Sequence, residues 1–460
     1  MSSLYDCETW EPLLRLLRTA HAQALAAPGG QVSGTIGRGS YSVPVKWRYP
    51  PPGRAMLLSD NQAEHDAIEQ VRGALSGAGV NDIAFTAEIP PNGAAVLRLF
   101  DRSAATERGI GNSPGTLILV EGAVPEPWRR LPERCEGARP APSADPERLG
   151  RVLRERIPEA IGATEEEIAA AERRLGLALP EEVKALYQVT RGRWEDWQGN
   201  DGAEQRVFDA VGFELGSLED LAVADLSHWS YFRWQHAATG AVLTGPDDAV
   251  QDLVGSPGWI VLGGTGGGER VAVDLTPGPR GHLGQVIVLD NRQNIGASLW
   301  TESLTDLALG PERPWYTGHR WDKQPLTAIV HDGSIRSIEA AAHPALEVLR
   351  IGAWTGEPLS LAPVVGLPRL RTLCAYPGTL ADPLEIAALT ALKFLELAPG
   401  DWRALLDAAA VPGSLSAASV HTSGQEDPRH IVALTNEILA LWDRPPTTET
   451  VVTGDLGPLA

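Results

Sequence analysis

Two glycine-rich stretches carry the letters of catalytic or phosphate-binding motifs. Residues Gly111–Gly115 match the G-x-S-x-G pattern of a serine nucleophile. That motif needs a strand before the serine and a helix after it, but here a charged coil precedes it and the strand-like Thr116–Val120 follows. No Lys-Ser/Thr pair follows Gly263–Gly268, and its flanks favour strands, so no helix N-terminus would face a phosphate. Both stretches are therefore predicted to be turns or coil.

The histidines and cysteines do not show the spacing of metal ligands. The ten histidines include no H-x-x-x-H or H-E-x-x-H pair, the spacings that direct two imidazoles to one metal from a helix face. Cys7, Cys135 and Cys374 are far apart and form no C-x-x-C pair, so neither a zinc site nor a disulfide framework is predicted. We expect no catalytic residue, no metal and no cofactor, which means a protein that is not an enzyme.

Large aromatic side chains beside carboxylates are the more informative class. Two tryptophans flank two acidic residues after a predicted helix, and a second aromatic group lies in a polar stretch at 228–236. Tryptophan and tyrosine often anchor protein interfaces because they bury a large area with little loss of entropy. The predicted partner-binding residues are Trp194, Glu195, Asp196, Trp197, Trp229, Tyr231 and Trp234. The alternative is that these aromatic residues support loops from inside the fold.

The first element that must position these residues is a helix near 164–175. Thr164 and Glu167 have the capping-box spacing, in which each side chain satisfies a backbone amide of the other residue. Apolar residues then recur at near-helical spacing as far as Leu175. Gly176 follows where a left-handed C-terminal cap is needed. The pattern therefore predicts a helix that begins at Thr164 and stops near Leu175.

A second helix and a sheet should complete this domain. Pro180 suits the first turn of a helix that ends by Arg191-Gly192. Apolar, β-branched runs separated by glycine-rich or proline-rich turns then predict a three-strand antiparallel meander, and its strands are Trp259–Leu262, Arg270–Leu275 and Gln285–Asp290. A further strand at Ile295–Trp300 and a closing helix at Thr301–Leu309 follow.

This order of elements, together with four local motifs, resembles the SUKH superfamily, which includes fungal Smi/Knr-type cell-wall regulators and many bacterial immunity proteins. The motifs are the helix pair with Leu175-Gly176 and Leu179-Pro180, the Gly258-Trp259 start of the sheet, the glycine-rich turn before Asp274, and the Ser298 strand before a final helix. The resemblance covers Arg151–Gly310, about a third of the chain. It implies a partner-binding domain.

The chain departs from the family pattern in two places. The Asn-Gly pair usual after the second helix reads Arg191-Gly192 here. A polar and aromatic insertion, roughly Leu218–Asp252, separates the helix pair from the sheet. Both departures concern the part of the domain where the aromatic candidates lie, so this member's binding face does not follow from the resemblance.

The remaining sequence predicts two further modules. Before residue 101 the pattern is helix, hairpin, helix, hairpin, and after residue 325 three leucine-rich segments recur at spacings of 24 and 22 residues with first leucines Leu346, Leu370 and Leu392. That period resembles leucine-rich repeats; a βα fold with accidental leucine spacing is the alternative. The predicted α+β organisation comprises an N-terminal module (1–101), a connector with at most one strand (102–150), a SUKH-like domain (151–312), and a leucine-rich-repeat-like domain with a capping helix at Pro428–Trp442 (325–445).

Composition narrows the kind of partner. The formal net charge is -20, which disfavours nucleic acid or an anionic membrane surface and is compatible with a basic protein partner. An acidic excess also serves simply to keep a protein soluble. Acidic residues near the N-terminus do not fit a signal peptide, and no apolar run approaches the roughly 18 residues of a membrane span. We expect a cytoplasmic protein.

The resemblance implies an immunity protein that neutralises a polymorphic toxin by stoichiometric binding, with a basic toxin domain as the partner. A multi-domain regulatory scaffold is the alternative, and an enzyme of unrecognised type with its site in the N-terminal module is the third hypothesis.

Overall fold

The chain divides into two compact units. The computed structural model describes residues 3–49, 54, 57–108, 117–120, 130–197, 201–224, 237–291, 295–310, 326–422 and 426–458. Unit 1 consists of Met1–Gly122, Ile351–Gly366 and Cys374–Ala460. Unit 2 consists of Ala123–Arg350 and Leu367–Leu373.

Helices and strands alternate irregularly along the chain, in agreement with the predicted α+β class. The described α-helices are α1 (Cys7–Ala20), α2 (Ala22–Leu25), α3 (Gln62–Ala78), α4 (Pro146–Arg156), α5 (Glu165–Leu175), α6 (Glu181–Tyr187), α7 (Asp201–Val211), α8 (Leu304–Leu309), α9 (Ile338–Ala341), α10 (Pro399–Asp407) and α11 (Pro428–Ala440). Short 3₁₀ helices lie at Leu58–Asn61, Trp194–Trp197, Ala362–Val364 and Pro383–Ala388. The strands are β1 (Val32–Gly37), β2 (Tyr41–Ser42), β3 (Asp82–Glu88), β4 (Ala94–Asp101), β5 (Thr106–Arg108), β6 (Leu117–Val120), β7 (Glu214–Leu215), β8 (Ala222–Val223), β9 (Trp259–Gly264), β10 (Arg270–Asp274), β11 (Gln285–Leu289), β12 (Ser298–Thr301), β13 (Thr327–Val330), β14 (Val348–Ile351), β15 (Thr372–Ala375), β16 (Phe394–Leu397), β17 (Ala417–Val420) and β18 (Thr448–Asp455).

The N-terminal part of unit 1 is an antiparallel sheet with helices packed on it. Its strand order is β18-β4-β3-β1-β2. Helix α1 buries a stripe that includes Trp10 and Leu17, and the Trp10 ring meets Phe85 of β3 edge to face with ring centroids 5.2 Å apart. The predicted helix Glu8–Ala26 is interrupted because His21 leaves the helical conformation at φ -124°. The predicted order of helix, hairpin, helix and hairpin is present.

Strand β18, which the sequence analysis did not predict, pairs with β4 along its whole length. The antiparallel register runs from Thr448 opposite Asp101 to Asp455 opposite Ala94. Val452 and Leu456 join the buried core of the N-terminal part. A segment from beyond residue 445 therefore completes the sheet of the first hundred residues.

The connector 102–150 contains more regular structure than the single strand expected. Strands β5 and β6 pair with each other, and β6 also pairs antiparallel with β17. Helix α4 begins at Pro146, inside the connector, with the Asp145 carboxylate accepting a hydrogen bond from the backbone N–H of Arg148. Its buried Leu149 and Leu153 belong to the core of unit 2. The packing of these short segments depends on residues far away in the sequence, so their local patterns are weak.

Strands occupy the positions of the predicted repeats. β14, β15 and β16 begin at Val348, Thr372 and Phe394, which keeps the spacings of 24 and 22 residues. β16 and β17 are parallel neighbours, and helix α11 (Pro428–Ala440) lies where a capping helix was predicted. The assignment of these strands to the leucine-rich-repeat class remains a prediction.

Unit 2 contains helices packed on one face of an antiparallel sheet. The strand order is β12-β11-β10-β9-β7, and β8 also pairs with β9. Helices α4 to α8 and the inward residues of β9, β10 and β11 share one buried core. The three predicted meander strands are therefore present, with ends within two residues of those expected. Helix α7 and strand β7 lie between the helix pair and the predicted insertion (roughly Leu218–Asp252), where no element was predicted, and β8 lies inside that insertion.

Candidate functional site

Helix α5 starts through the capping box that the sequence predicts. The backbone N–H of Thr164 donates to the Glu167 carboxylate at 2.8 Å, and the Thr164 hydroxyl accepts from the backbone N–H of Glu167 at 3.2 Å. The hydrogen bond from Thr164 lowers the pKa of Glu167. Gly176 ends the helix in the left-handed conformation at φ 72°. These local interactions fix where the helix begins and where it ends.

Helix α6 connects α5 to the closing helix α8. Pro180 is its N-cap, and the helix ends at Tyr187 rather than at Arg191. The buried Glu182 carboxylate accepts hydrogen bonds from the backbone N–H groups of Leu304 and Thr305 at 3.2 and 3.0 Å. The buried Tyr187 hydroxyl donates to the Gly216 carbonyl at 3.0 Å, and burial raises the pKa of this hydroxyl. Helix α6 is therefore held at both of its ends before the aromatic segment begins.

The segment after α6 is held to the domain by its backbone. The N–H of Arg191 donates to the Ile161 carbonyl at 2.9 Å, and the carbonyl of Arg191 accepts from the N–H of Leu218 at 3.0 Å. Gly192 has a φ of 71°, and a Cβ there would lie 2.6 Å from the Gly216 carbonyl oxygen. Only glycine fits this left-handed and crowded position. The Arg191-Gly192 pair therefore directs the following residues away from the helix.

Ion pairs organise the aromatic segment. The Arg191 guanidinium donates to both oxygens of Asp196, Nε to Oδ2 and Nη2 to Oδ1, each at 2.7 Å. This fork lowers the pKa of Asp196 and raises that of Arg191. Arg193 contacts Glu167 at 3.3 Å and also pairs with Glu219. A bidentate arginine pair fixes orientation as well as distance. The ion pairs therefore hold residues 191–197, which carry Trp194 and Trp197, in one conformation, and we call this segment the braced turn.

The braced turn forms one wall of a cleft of about 1170 Å³. Its other walls come from helix α7, strand β7 with the turn after it, and the glycine-rich turn between β9 and β10. The lining residues are Arg191, Gly192, Arg193, Trp194, Glu195, Asp196, Trp197, Glu204, Gln205, Val207, Phe208, Glu214, Leu215, Gly216, Ser217, Glu219, Asp220, Thr265 and Gly266. We call this feature the acidic cleft, since its described lining contains six carboxylates and two guanidinium groups.

Aromatic rings and carboxylates share the acidic cleft. Trp194 is 53% exposed, whereas Trp197 is partly buried against the core, and their rings meet edge to face with centroids 6.2 Å apart. The carboxylates of Glu195, Glu204 and Glu214 are exposed and have no basic partner within the described residues. The cleft therefore combines an accessible apolar ring with uncompensated negative charge.

The structure brings together four of the seven predicted partner-binding residues. Trp194, Glu195, Asp196 and Trp197 all line the acidic cleft, although the Asp196 side chain, only 10% exposed, is engaged by Arg191. Trp229, Tyr231 and Trp234 lie outside the described residues.

Sequence reasoning missed the opposite walls of the cleft. Glu204 and Phe208 lie one turn apart on α7, and Glu214 lies on β7. The i, i+4 spacing of Glu204 and Phe208 is the signal that could have indicated a shared helix face. A two-residue strand such as β7 has no comparable local pattern.

Asp274 is the other perturbed acid of the domain. Its completely buried carboxylate accepts hydrogen bonds from the Thr276 N–H at 2.7 Å and from Gln285 Nε2 at 2.9 Å. Burial nevertheless raises the pKa of Asp274 to about 6. The residue does not line the acidic cleft. Its hydrogen bonds tie the turn after β10 to β11, which is a structural role.

No group of three or more His, Cys, Asp or Glu side chains in the described ranges is arranged to hold a metal ion. None of the helices in those ranges combines the length and apolar character that a membrane span requires.

Comparison with known proteins agrees with the fold of this domain. Residues 162–307 match the sequence model of the SMI1 / KNR4 family (SUKH-1). The glucan synthesis regulatory protein of Neurospora crassa is 26% identical over 174 residues, which is 31% of this chain and 32% of that protein.

Two yeast proteins show a similar relation. The cell wall biosynthesis/cell cycle regulator smi1 of Schizosaccharomyces pombe is 28% identical over 167 residues, covering 33% of this chain and 31% of that protein. The cell wall assembly regulator SMI1 of Saccharomyces cerevisiae is 27% identical over 187 residues, covering 33% and 36%. The chain thus spans about a third of the length of these curated relatives.

The matched region starts just before the Thr164 capping box and ends in the closing helix α8, so it contains the helix pair, the meander and every wall of the acidic cleft. Residues 162–307 are therefore a domain of the SMI1 / KNR4 family (SUKH-1).

Proposed function

We propose that this chain is a non-enzymatic protein-binding protein that holds a protein partner in the acidic cleft of its SUKH-1 domain. In its specific form, the proposal is a bacterial immunity protein that neutralises a polymorphic toxin by stoichiometric binding. The observation that carries it is the exposed Trp194 ring within a cleft of uncompensated carboxylates.

The geometry supports binding in two ways. An exposed tryptophan on a concave surface is typical of residues that contribute most of the affinity at protein interfaces. Negative charge around such a ring speeds association with a cationic partner and rejects acidic proteins. Occupation of the cleft by the partner's catalytic surface would block access of that partner to its substrate, without any chemistry on the side of the immunity protein.

Co-purification from the native host tests this proposal. The full-length chain and its Trp194→Ala variant are used as baits, with Leu299→Ala as the matched control. Leu299 is another exposed apolar residue of unit 2, at 39% exposure, and it lies on β12 at the opposite edge of the sheet from β7. We expect the native chain and the Leu299 variant to retain one partner in stoichiometric amount and the Trp194 variant to lose it.

Co-expression adds the functional readout. The native chain should protect cells that express the recovered partner, and the Trp194→Ala chain should not. Recovery of no toxic partner, or equal protection by both chains, would contradict the immunity proposal.

A regulatory scaffold is the second candidate, and the names of the fungal relatives favour it. These proteins are named as regulators of cell wall assembly or glucan synthesis, and unit 1 offers a second folded body that could hold another protein. The two candidates differ in the number of partners. A scaffold should bring down several unrelated proteins at sub-stoichiometric amounts, whereas an immunity protein should bring down one.

An enzyme is the third candidate and would have its site in the N-terminal module. A ligand-bound structure showing converging titratable groups within residues 1–101 would support it. Turnover of any substrate by unit 1 would replace the binding proposal for that part of the chain.

A further inference from the structure

We infer that the acidic cleft receives arginine side chains from an extended segment of the partner, with a guanidinium group lying on the exposed face of Trp194. This inference rests on the proposed protein-binding function and adds the chemistry of the ligand. The acidic cleft would then bind arginine in preference to lysine and to neutral side chains.

The size of the cleft favours a peptide segment over a small molecule. Pockets for small ligands usually enclose roughly 300 to 1,000 Å³, and the acidic cleft, at about 1170 Å³, exceeds that range. Its walls come from a turn, a helix, a strand and a glycine-rich turn rather than from one enclosing element. An extended segment of several residues fits such a groove.

Charge selects a cationic segment. Both arginines of the lining are already engaged, Arg191 by Asp196 and Arg193 by Glu167 and Glu219. Glu195, Glu204 and Glu214 are exposed around the cleft without a basic partner in the described parts of the chain. A cation supplied by the partner can therefore pair with these three carboxylates without breaking the ion pairs that brace the turn.

The tryptophan selects among cations. A guanidinium is planar and more weakly hydrated than an ammonium, so it can stack on an indole ring while its edge N–H groups donate to carboxylates. Trp194 offers an exposed ring, and the edge-to-face packing against Trp197 keeps that ring in place. A lysine ammonium can pair with the carboxylates, but it has no planar group that stacks on the indole ring while its N–H groups donate to them. Arginine therefore uses both features of the cleft at once.

Isothermal titration calorimetry of the full-length chain with defined peptides tests the inference. The probes are nine-residue Gly/Ser peptides that carry three arginines, three lysines, or three citrullines, which have nearly the shape of arginine without its charge. We expect the arginine peptide to bind, the lysine peptide to bind two- to fivefold more weakly, and the citrulline peptide not to bind. A two- to fivefold difference in affinity between the arginine and lysine peptides corresponds to about 0.4–1 kcal/mol.

Variants locate the binding site. Trp194→Ala should reduce the affinity for the arginine peptide and remove the preference over lysine. The double variant Glu204→Gln/Glu214→Gln should weaken binding at least tenfold and reduce its dependence on salt. The matched control Glu147→Gln/Glu155→Gln makes the same change in net charge on the exposed face of α4, outside the cleft, and should leave the affinity unchanged. Circular dichroism of each variant checks that the fold is retained.

The outcomes separate this inference from the proposed function. Equal binding of arginine and lysine peptides, or equal weakening in the cleft and control double variants, would overturn the inference by showing only general charge attraction. Failure of the arginine peptide to bind while a co-purified partner still requires Trp194 would also overturn it and leave the proposed function standing. Arginine-specific binding at the cleft without any native partner would support the inference and remove the proposed function.

Discussion

Arg191 shows how one residue can position a site through backbone and side chain together. Its backbone N–H donates to the Ile161 carbonyl, its carbonyl accepts from the Leu218 N–H, and its guanidinium donates to the Asp196 carboxylate. Because this ion pair is largely buried, the cost of removing the two charges from water offsets much of their attraction, but its fork geometry sets the path of the turn that carries Trp194.

At the residue scale, Asp274 predicts a pH dependence. Its pKa is raised from 3.8 to about 6 in the folded state, so the protonated form is favoured by folding. Its contribution to stability is therefore fully present below about pH 4 and is lost as the pH rises to about 6. In an Asp274→Asn chain this dependence disappears, so the stability advantage of the native chain should shrink by up to about 3 kcal/mol across that window.

Hydrogen exchange of the β10 amides, corrected for intrinsic rates, measures the local unfolding free energy at pH 4 and pH 6.5. Native and Asp274→Asn chains that change in parallel between these two values would contradict the raised pKa.

At the element scale, a carboxylate of helix α6 caps the N-terminus of α8, the last helix of the SUKH-1 domain. Glu182 of α6 is 6% exposed and binds the first N–H groups of α8, which have no partner within that helix. Helix α8 has only six residues, too few to be stable without tertiary contacts. The position of α8 therefore depends on α6.

Glu182→Gln should loosen the closing helix. One carboxylate oxygen becomes an NH₂ group that faces a backbone N–H, which leaves a buried donor without an acceptor and costs about 1–3 kcal/mol. Peptide-level hydrogen exchange across Leu304–Leu309 should show faster exchange of α8 in this variant.

The neighbouring substitution Glu181→Gln is the matched control, because the Glu181 side chain is 75% exposed and pairs with Lys184 on the helix surface. The Glu181→Gln substitution should change the free energy of unfolding by less than about 0.5 kcal/mol. Equal effects of the two substitutions would show that the buried cap is not what holds α8.

At the scale of the whole molecule, unit 1 is built from segments that are far apart in the sequence. β18 adds to the edge of β4, Arg15 donates to the Leu456 carbonyl at 3.0 Å, and Val452 enters the core that Trp10 and Phe85 form. The folded N-terminal module therefore depends on the C-terminal strand. Within unit 2 the family domain similarly takes α4 from before its matched residues.

Alternate residues of β18 provide a test with an internal control. Val452 is 7% exposed and faces the core, while Val451 is 50% exposed. Val452→Ala should destabilise unit 1 by roughly 1–3 kcal/mol because it leaves a cavity, and Val451→Ala should have little effect. Hydrogen exchange of the β4 amides reports on unit 1 specifically. Equal protection of the β4 amides in the two variants would show that β18 is not part of the core.

The sequence by itself determined the elements that short-range chemistry specifies. The Thr164–Glu167 capping box, the left-handed Gly176 and the β-branched runs of the meander each act within a few residues, so the helix start, the helix end and the three strands could be predicted. Helix α11 was likewise predicted, at Pro428–Trp442. The tryptophans and carboxylates of 194–197 could be named as candidate partner-binding residues from their types alone, and that role remains a prediction.

Only the tertiary structure decided which of these elements meet. Three contacts join residues that are separated by more than a hundred positions. They are the pairing of β18 with β4, the pairing of β6 with β17, and the hydrogen bonds from α8 to Glu182. The acidic cleft likewise depends on Glu204 and Glu214, whose role follows from where α7 and β7 pack. Local sequence sets backbone preference within a few residues, whereas a binding surface is made by long-range burial, which no local pattern specifies.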